Sequence, residues 1–304
     1  MNSIIFPGQG AQFIGMGKNL YDNFSKAKDI FSLIDDILGF SLSKKCFSGQ
    51  ESELKDTATQ QLAILAVSLI AFELFKDKNV SMDYLSGLSL GEYSCLYVSD
   101  VISLKDLVVL VRERGLAMQK AALENPSTMF AVMNIEKDSL DDIAKREGFY
   151  ISNLNSAKQT VVSLSIDDKD KVKNILAGEG ARVIELEVSG GFHSPFMNNA
   201  KDTLTKVIDG MVFQDAKIPI VSNFTGKAHT KNEEIKFNLL EQLVSPVLWK
   251  DCVEFMIAKG VNCFYEVGPS KVLKGLMRKI NRDAKVINIE TKEDIDKLLD
   301  LSFS

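Results

Sequence analysis

The stretch from Met82 to Tyr93 limits the possible folds more than any other, because its pattern predicts a strand, a tight turn and a helix in direct succession. Within it, Gly87, Ser89 and Gly91 follow the spacing G-x-S-x-G. A serine on such a turn is strained and exposes its hydroxyl, while the flanking glycines leave room for crossing backbone. The following helix directs free N–H groups at the turn, so the amide of Leu90 is a candidate oxyanion donor. Because Gly and Ser are common turn residues, this spacing alone does not establish catalysis.

Composition excludes several classes of protein. With 304 residues and 45% hydrophobic content, the chain can bury a large core and is long enough for two domains. It starts without a basic leader, and its longest apolar run, Leu62 to Phe72, is too short to span a bilayer, so we expect a cytoplasmic protein without membrane contact. The four cysteines lack C-x-x-C spacing, which indicates reduced thiols and no metal site. A net charge of −5 argues against nucleic-acid binding.

A second candidate loop follows the predicted N-terminal strand from Ser3 to Phe6. A dinucleotide loop would need a glycine where Phe13 stands, and no Gly-Lys-Ser/Thr follows, so a phosphate-binding loop is excluded. Gln9, between two glycines at the end of this strand, is either part of an ordinary turn or a second backbone donor to an oxyanion.

The chain contains only two histidines, so candidates for a general base are few. A serine that attacks an acyl carbon near neutral pH needs a base, and imidazole has a pKa in that range. His193 follows paired glycines at a predicted domain junction, where clefts form, and we expect it to be the base. His229 stands in a polar segment, where we expect an exposed histidine without a catalytic role.

Arg114 lies on a long helix predicted from Ser103 to Leu123, with Ser103 as its cap. An arginine on a helix is usually solvated or ion-paired, and the residues alone favour that interpretation. Its planar guanidinium is nevertheless the group best suited to a free carboxylate.

The middle of the chain changes pattern at Pro126. The order of predicted elements there is β-α-β-β-α-β, which is typical of a ferredoxin-like unit. Strand–helix alternation on both sides of it predicts an α/β sheet with helices on its faces. We therefore expect a large α/β domain, 1–125 with 190–304, and a small inserted domain, 126–189.

Several motifs together resemble one family, the malonyl-CoA:acyl carrier protein transacylases of fatty acid synthesis, over essentially the full chain. They occur in the family's order and are Phe6-Pro7-Gly8-Gln9-Gly10-Ala11-Gln12, Gly87-Leu88-Ser89-Leu90-Gly91-Glu92-Tyr93, Arg114-Gly115 with Met118, Asn155-Ser156 with Gln159, Ser189-Gly190-Gly191-Phe192-His193-Ser194-Pro195 and Glu266-Val267-Gly268-Pro269. The resemblance implies an α/β-hydrolase-like large domain with a parallel-type sheet and a ferredoxin-like insert.

The same resemblance assigns roles to individual residues. It implies that Ser89 is the nucleophile and His193 its base, that the amides of Gln9 and Leu90 form the oxyanion hole, and that Arg114 pairs with the free carboxylate of malonate. This reverses the interpretation of Arg114 given above.

The resemblance also implies residues around the substrate. It places Gln60, Asn155 and Phe192 at the acyl group, with Phe192 favouring malonyl over methylmalonyl groups. It places the main-chain carbonyl of Leu248 on His193. The chain departs from the family at Leu88, where a histidine usually precedes the nucleophile.

The activity implied is ping-pong transfer of a malonyl group from malonyl-CoA to the phosphopantetheine thiol of acyl carrier protein, by a monomer without a cofactor other than the coenzyme A thioester substrate. The alternatives are an acyltransferase of polyketide assembly, a serine thioesterase or hydrolase using the same turn, and a non-catalytic binding subunit. Because carrier proteins are acidic, basic residues near one predicted helix are either a docking patch or a solvated face. They are Lys271, Lys274, Arg278, Lys279 and Arg282.

Overall fold

The computed structural model of this protein describes residues 1–78 and 80–301. Its strands are β1 (Asn2–Phe6), β2 (Tyr84–Gly87), β3 (Ser127–Met133), β4 (Tyr150–Ser156), β5 (Gln159–Ser165), β6 (Arg182–Glu185), β7 (Ile220–Val221), β8 (Ala228–His229), β9 (Cys263–Val267) and β10 (Lys285–Ile289). Its α-helices are α1 (Lys18–Asn23), α2 (Ser25–Leu38), α3 (Leu42–Ser48), α4 (Thr57–Phe75), α5 (Leu90–Val98), α6 (Leu104–Glu124), α7 (Lys137–Glu147), α8 (Lys169–Gly178), α9 (Asn198–Asp209), α10 (Asn232–Val244), α11 (Trp249–Ala258), α12 (Val272–Ile280) and α13 (Lys292–Leu301).

The larger sheet has the strand order β10-β9-β1-β2-β7-β8. All of its pairs are parallel except the edge pair of β7 and β8. In the central strand β1, Ile4 and Phe6 pack on one face with α4, α5 and α6, and Ile5 packs on the other face with α11 and α12. Since side chains alternate along a strand, β1 is buried from both sides, as the center of a three-layer α/β domain requires.

Helix α4 is the core helix of this domain. It begins after Asp56, whose carboxylate caps it by accepting a hydrogen bond from the Thr59 amide at 2.9 Å. Every residue from Thr57 to Phe75 is buried. The helical segment Thr57–Lys78 has the length and hydropathy of a membrane span, but its most apolar window lies entirely inside the protein, as in the core helix of a globular domain.

The smaller sheet is antiparallel, with the order β4-β5-β3-β6. Phe130 and Val132 of β3 pack against Leu140 of α7 and Leu176 of α8. The predicted β-α-β-β-α-β unit and the α/β class are confirmed. The domain limits 1–125, 126–189 and 190–304 stay a prediction.

Main-chain hydrogen bonds join the segment before α11, which packs on the larger sheet, to the smaller sheet. Val247, just before α11, donates from its amide to the Ser152 carbonyl at 2.8 Å and accepts at its own carbonyl from the Leu154 amide at 2.9 Å. Val247 therefore pairs with Asn153 of the edge strand β4 in an isolated parallel bridge.

Two predicted elements differ from the structure. The alternation of apolar and charged residues from Tyr21 to Leu38 predicts a helix, but the helix is interrupted at Phe24, which is extended (φ −131°, ψ 125°) and packs against the core. The apolar segment from Ile218 to Asn223 predicts a strand, but the strand is reduced to Ile220–Val221. Pro219 has no N–H to donate there, and Asn223 is held by contacts at the serine turn.

Candidate active site

Ser89 lies at the sharp turn between β2 and α5, with φ 53° and ψ −103°. This strained backbone confirms the predicted turn. A Cβ on Gly87 would lie 2.1 Å from the carbonyl carbon of Gly91, and a Cβ on Gly91 would lie 2.1 Å from the Phe6 carbonyl oxygen. The two glycines are therefore required by the close crossing of β1, the turn and α5.

The loop after β1 packs directly on this turn. A Cβ on Gly8 would lie 2.2 Å from the carbonyl oxygen of Leu88, so Gly8 permits the contact. The Ser89 amide donates to Asn223 Oδ1 at 2.6 Å. Within residues 1–78 and 80–301, the main-chain amides of Gln9 and Leu90 have no hydrogen-bond acceptor. Both amides are thus available, and their role as an oxyanion hole stays a prediction.

His193 lies against the serine hydroxyl. Its Nε2 is 2.7 Å from Ser89 Oγ, and its Nδ1 is 2.7 Å from the carbonyl oxygen of Gln242. Because a carbonyl only accepts, the proton of neutral imidazole is placed on Nδ1, and Nε2 is left to accept from the hydroxyl. Burial lowers the pKa of His193 to about 4. The hydrogen bond to the Gln242 carbonyl raises this pKa, and the positive charge of Arg114 lowers it. The imidazole is therefore neutral near pH 7.

The prediction that the Leu248 carbonyl orients His193 is wrong. Leu248 is the N-cap of α11, and its carbonyl accepts the first bond of that helix, from the Cys252 amide at 2.9 Å. Gln242 lies in the last turn of α10, where carbonyls have no partner within the helix. A free helix-end carbonyl is therefore the acceptor for His193.

Arg114 is fully buried beside Ser89. Its Nη2 donates to Ser89 Oγ at 3.1 Å and to Gln242 Oε1 at 3.2 Å, and its Nη1 donates to Gln61 Oε1 at 2.6 Å. The guanidinium carbon lies 4.8 Å from the center of the Tyr93 ring, a cation–π contact. Burial lowers the pKa of Arg114, although Tyr93 acts to raise it. Among the described residues, no carboxylate forms a salt bridge with this guanidinium.

The close approach of α4 and α6 explains why Arg114 meets a glutamine. A Cβ on Gly115 would lie 2.6 Å from the Cα of Ala58, so the two helices pack backbone to backbone there. The glutamine on the guanidinium is Gln61, one position after the predicted Gln60. Gln60 instead accepts a hydrogen bond from Gln9 Nε2 at 2.6 Å.

Ser89 and His193 open into a cleft of about 140 Å³ between the two sheets. Asn155 and Phe192 line it, as does Leu88. The main chain of Phe192 is fixed by Ser163 Oγ, which donates to its carbonyl at 2.9 Å. Asn155 is buried, and its Oδ1 has no partner among the described residues. The structure thus places Asn155 and Phe192 beside the serine, while their contact with a substrate stays a prediction.

The acyl transferase domain model matches residues 4–295 of this chain. The chain belongs to the acyl transferase domain family. The malonyl CoA-acyl carrier protein transacylase of Bacillus subtilis (strain 168) is 38% identical to this acyltransferase over 300 residues, which are 97% of this chain and 95% of that protein.

Two solved structures are also similar to this acyltransferase. The acyl-carrier-protein-S-malonyltransferase of Bartonella henselae has a TM-score of 0.95 and 31% identity, covering 100% of this acyltransferase and 99% of that chain. A malonyl-transacylase in complex with a type II PKS acyl-carrier protein also has a TM-score of 0.95 and 31% identity, with 99% of each chain covered.

Sequence patterns missed a set of buried groups behind the acyltransferase's serine. Glu92 Oε2 accepts from the Asn223 amide at 2.9 Å and from Gln242 Nε2 at 2.7 Å. Burial raises the pKa of Glu92 to about 7, against the lowering effect of these hydrogen bonds. The position of Asn223 at the carboxyl end of a predicted strand was the one available signal, since ligands of α/β sheets gather at that edge. Gln242 and Gln61 carry no pattern of their own.

The second histidine does not contact this site. His229 lies in the edge strand β8, where Nδ1 is 3.0 Å from Glu234 Oε2 and Nε2 is 2.9 Å from Thr225 Oγ1. It is partly buried by these partners and not exposed as predicted.

Proposed function

We propose that this acyltransferase moves a malonyl group from malonyl-CoA to the phosphopantetheine thiol of an acyl carrier protein, through a malonyl ester of Ser89. The observation that carries the proposal is the buried guanidinium of Arg114, which lies 3.1 Å from Ser89 Oγ and forms no salt bridge with any described carboxylate. A buried cation without an anionic partner is costly. A substrate with a free carboxylate would supply that partner.

The first half-reaction acylates the serine. Nε2 of His193 takes the proton of Ser89 as Oγ forms a bond to the thioester carbon of malonyl-CoA. The amides of Gln9 and Leu90 receive the oxyanion of the tetrahedral intermediate. The carbon–sulfur bond then breaks, the coenzyme A sulfur takes the proton from His193, and the malonyl ester remains.

The second half-reaction runs these steps in reverse with the carrier thiol. The thiol gives its proton to His193 and attacks the ester, the carbon–oxygen bond to Ser89 breaks, and Oγ recovers the proton. Arg114 holds the malonyl carboxylate in both halves and so fixes the acyl carbon against the nucleophile. The walls of the cleft, including Phe192, limit the width at the acyl group and favour malonyl over branched groups.

A groove beside α12 supports docking of an acidic carrier protein. It measures about 350 Å³, and four lysines line it: Lys271, Lys274, Lys285 and Lys297. Within the described part of the chain, none of them forms a salt bridge. Lys271 and Lys274 belong to the predicted patch, which continues to Arg278, Lys279 and Arg282. Lys279 donates to Gln159 Oε1 at 3.2 Å, so the patch reaches the start of β5 in the smaller sheet.

The proposed chemistry also bears on the cofactor, the cell compartment and the pathway. Acyl transfer between thiols needs no cofactor beyond the coenzyme A thioester itself. All four cysteines are free and buried, which suits the reducing cytoplasm. We assign the reaction to fatty acid synthesis. The monomeric state stays a prediction.

Intact-protein mass spectrometry tests the proposal. Mixing with malonyl-CoA should add one malonyl group to the wild-type chain, and adding acyl carrier protein should remove it and place it on the carrier. Ser89→Ala should acquire no adduct, whereas Ser94→Ala, which removes another buried serine from α5, should behave as wild type. A persistent adduct on Ser89→Ala would contradict the proposed nucleophile. Rapid loss of the adduct to water, with no effect of the carrier, would establish a thioesterase instead. A fatty-acid and a polyketide carrier compared side by side would separate those two pathways.

A further inference from the structure

We propose that Glu92 is a positioning residue for acyl transfer, which holds Ser89 and His193 in register through the amide groups of Gln242 and Asn223. The inference rests on the proposed function, because it assumes that Ser89 and His193 are nucleophile and base.

One carboxylate oxygen of Glu92 accepts hydrogen bonds from both Gln242 and Asn223. Oε2 lies 2.7 Å from Gln242 Nε2 and 2.9 Å from the main-chain amide of Asn223. Glu92 is 2% exposed, and a buried carboxylate in such a place must be compensated by hydrogen bonds. The two donors come from different elements, α10 and the segment after β7, so the carboxylate links both to the first turn of α5.

The connection through Gln242 reaches His193 and Arg114. The side-chain oxygen of Gln242 accepts from Arg114 Nη2, and its nitrogen donates to Glu92, so its amide can take only one orientation. Its nitrogen also lies 3.2 Å from the Ser89 carbonyl. With the side chain fixed on both sides, the main-chain carbonyl of Gln242 is held 2.7 Å from His193 Nδ1.

The connection through Asn223 reaches the serine turn. With its own amide on Glu92, Asn223 accepts from the Ser89 amide at 2.6 Å and donates to the Gly87 carbonyl at 2.8 Å. These two hydrogen bonds hold the main chain at Gly87 and at Ser89, the strained residue of the turn. They keep the Ser89 amide pointing away from the cleft.

Charge gives the carboxylate a second effect on the base. During acylation His193 takes a proton close to Arg114, whose positive charge lowers the pKa of His193. A negative charge on Glu92 opposes that effect, since opposite charges favour the ionised form of a buried neighbour. Four other titratable groups interact electrostatically with Glu92. They are Arg114, Tyr93, Cys95 and Cys252. The pKa of Glu92 is raised to about 7, and so its charge changes near neutral pH.

Glu92→Gln tests the role with the hydrogen bonds preserved, because an amide oxygen can accept from both donors. At pH 8 we expect the single-turnover rate of malonyl-enzyme formation to fall about tenfold, because the variant lacks the negative charge that favours proton transfer to His193. The KM for malonyl-CoA should change less than about twofold, since Arg114 is retained. Glu73→Gln is the matched control: it neutralises another buried carboxylate, bonded to Tyr97 at 2.9 Å and remote from the cleft, and should leave the rate unchanged.

The pH profile separates positioning by charge from a purely structural role. As pH falls through about 7, wild-type Glu92 gains a proton and comes to resemble the variant. The ratio of wild-type to Glu92→Gln rates should therefore shrink from about tenfold at pH 8 to nearly one at pH 5. A ratio that stays constant over this range would overturn the inference.

Gln242→Ala provides a second variant, because it keeps the main-chain carbonyl and removes the amide between Glu92 and Arg114. We expect a similar loss of rate, and a double variant with Glu92→Gln no slower than the slower single variant, since residues of one network are not additive. Multiplicative losses would overturn the inference, as would wild-type rates in both single variants. The proposed function fails separately, through the mass adduct on Ser89→Ala, whereas Glu92 variants change only the rate at which the adduct forms.

Discussion

Arg114 is the side chain that we expect to decide which acyl groups are accepted. It is buried, it contacts the serine oxygen, and the Tyr93 ring and Gln61 hold its planar group in place. Because no described carboxylate forms a salt bridge with it, we expect its charge to be compensated by an acyl group that carries a free carboxylate.

Arg114→Ala should therefore abolish the preference for malonyl over acetyl groups. We expect kcat/KM for malonyl-CoA to fall by on the order of 10²–10³-fold, the cost of losing one partner of a buried charged pair, while acetyl-CoA is little affected. Steady-state kinetics with both thioesters measures this. Arg112→Ala is the control, because that arginine lies two positions away on α6 and is paired with Glu113 near the surface. Retained malonyl preference in Arg114→Ala would disprove the role.

Individual residues differ in how far the sequence predicts them. Ser89 was predicted from the spacing of its glycines, and His193 from the scarcity of histidine, and the structure brings their side chains to 2.7 Å. Gln242 and Gln61 could not be predicted in this way, because an amide on a helix face has no periodic signal and its partners lie far away in the chain. The contact between Gln61 and Arg114, for example, depends on Gly115 letting two helices meet.

At the scale of elements, the crossing of β1 and α5 depends on one missing methyl group. In Gly91→Ala, the new Cβ would lie 2.1 Å from the Phe6 carbonyl oxygen, and rigid backbone on both sides prevents relief. We expect a loss of about 1–3 kcal/mol in the free energy of unfolding, as for other overpacked cores, together with slower acylation because the serine turn shifts.

Gly275→Ala is the matched control in another helix. Gly275 lies within α12, is exposed, and has no atom within 4 Å of the position of an added Cβ. Alanine there should stabilise the protein by roughly 0.5–1 kcal/mol, because glycine costs backbone entropy in a helix. Urea unfolding of the two variants measures both effects. If both variants changed the free energy of unfolding in the same direction, crowding at β1 would not be the reason for glycine at position 91.

Strongly patterned elements were predictable and tertiary interruptions were not. The β-α-β-β-α-β order follows from alternation and spacing, and Ser103 caps α6 as expected by accepting from the Asp106 amide. The break at Phe24 and the shortening of β7 arise from packing against the rest of the molecule, which local pattern does not contain. The orienting carbonyl was misplaced at Leu248 for a different reason, because the family resemblance and not a local pattern assigned it. Helix α11 begins after Leu248, whereas the acceptor Gln242 lies in the last turn of α10.

At the scale of the whole molecule, the basic patch gives an uneven charge distribution to a protein with net charge −5. Reversing Lys274 and Arg278 to glutamate should raise KM for an acidic carrier protein about tenfold at low salt and leave acylation by malonyl-CoA unchanged, because long-range attraction acts on the protein partner. The difference should shrink as ionic strength rises.

Lys145→Glu with Lys173→Glu controls for total charge. These exposed lysines lie on α7 and α8, on the outer side of the smaller sheet, and their reversal alters net charge by the same amount. Carrier kinetics in a salt series compares the two double variants. Identical behaviour of both would show that α12 is only a solvated face.

The hydrogen bonds that join Val247 to β4 bear on how this protein discriminates among acyl groups. Because these bonds connect the two walls of the cleft, we expect the distance between Ser89 and the smaller sheet to change little when a substrate binds. A bulky acyl group would then be excluded by the width of the cleft. On this expectation, replacing a lining side chain such as Phe192 by a smaller one is the direct way to broaden the range of acyl groups.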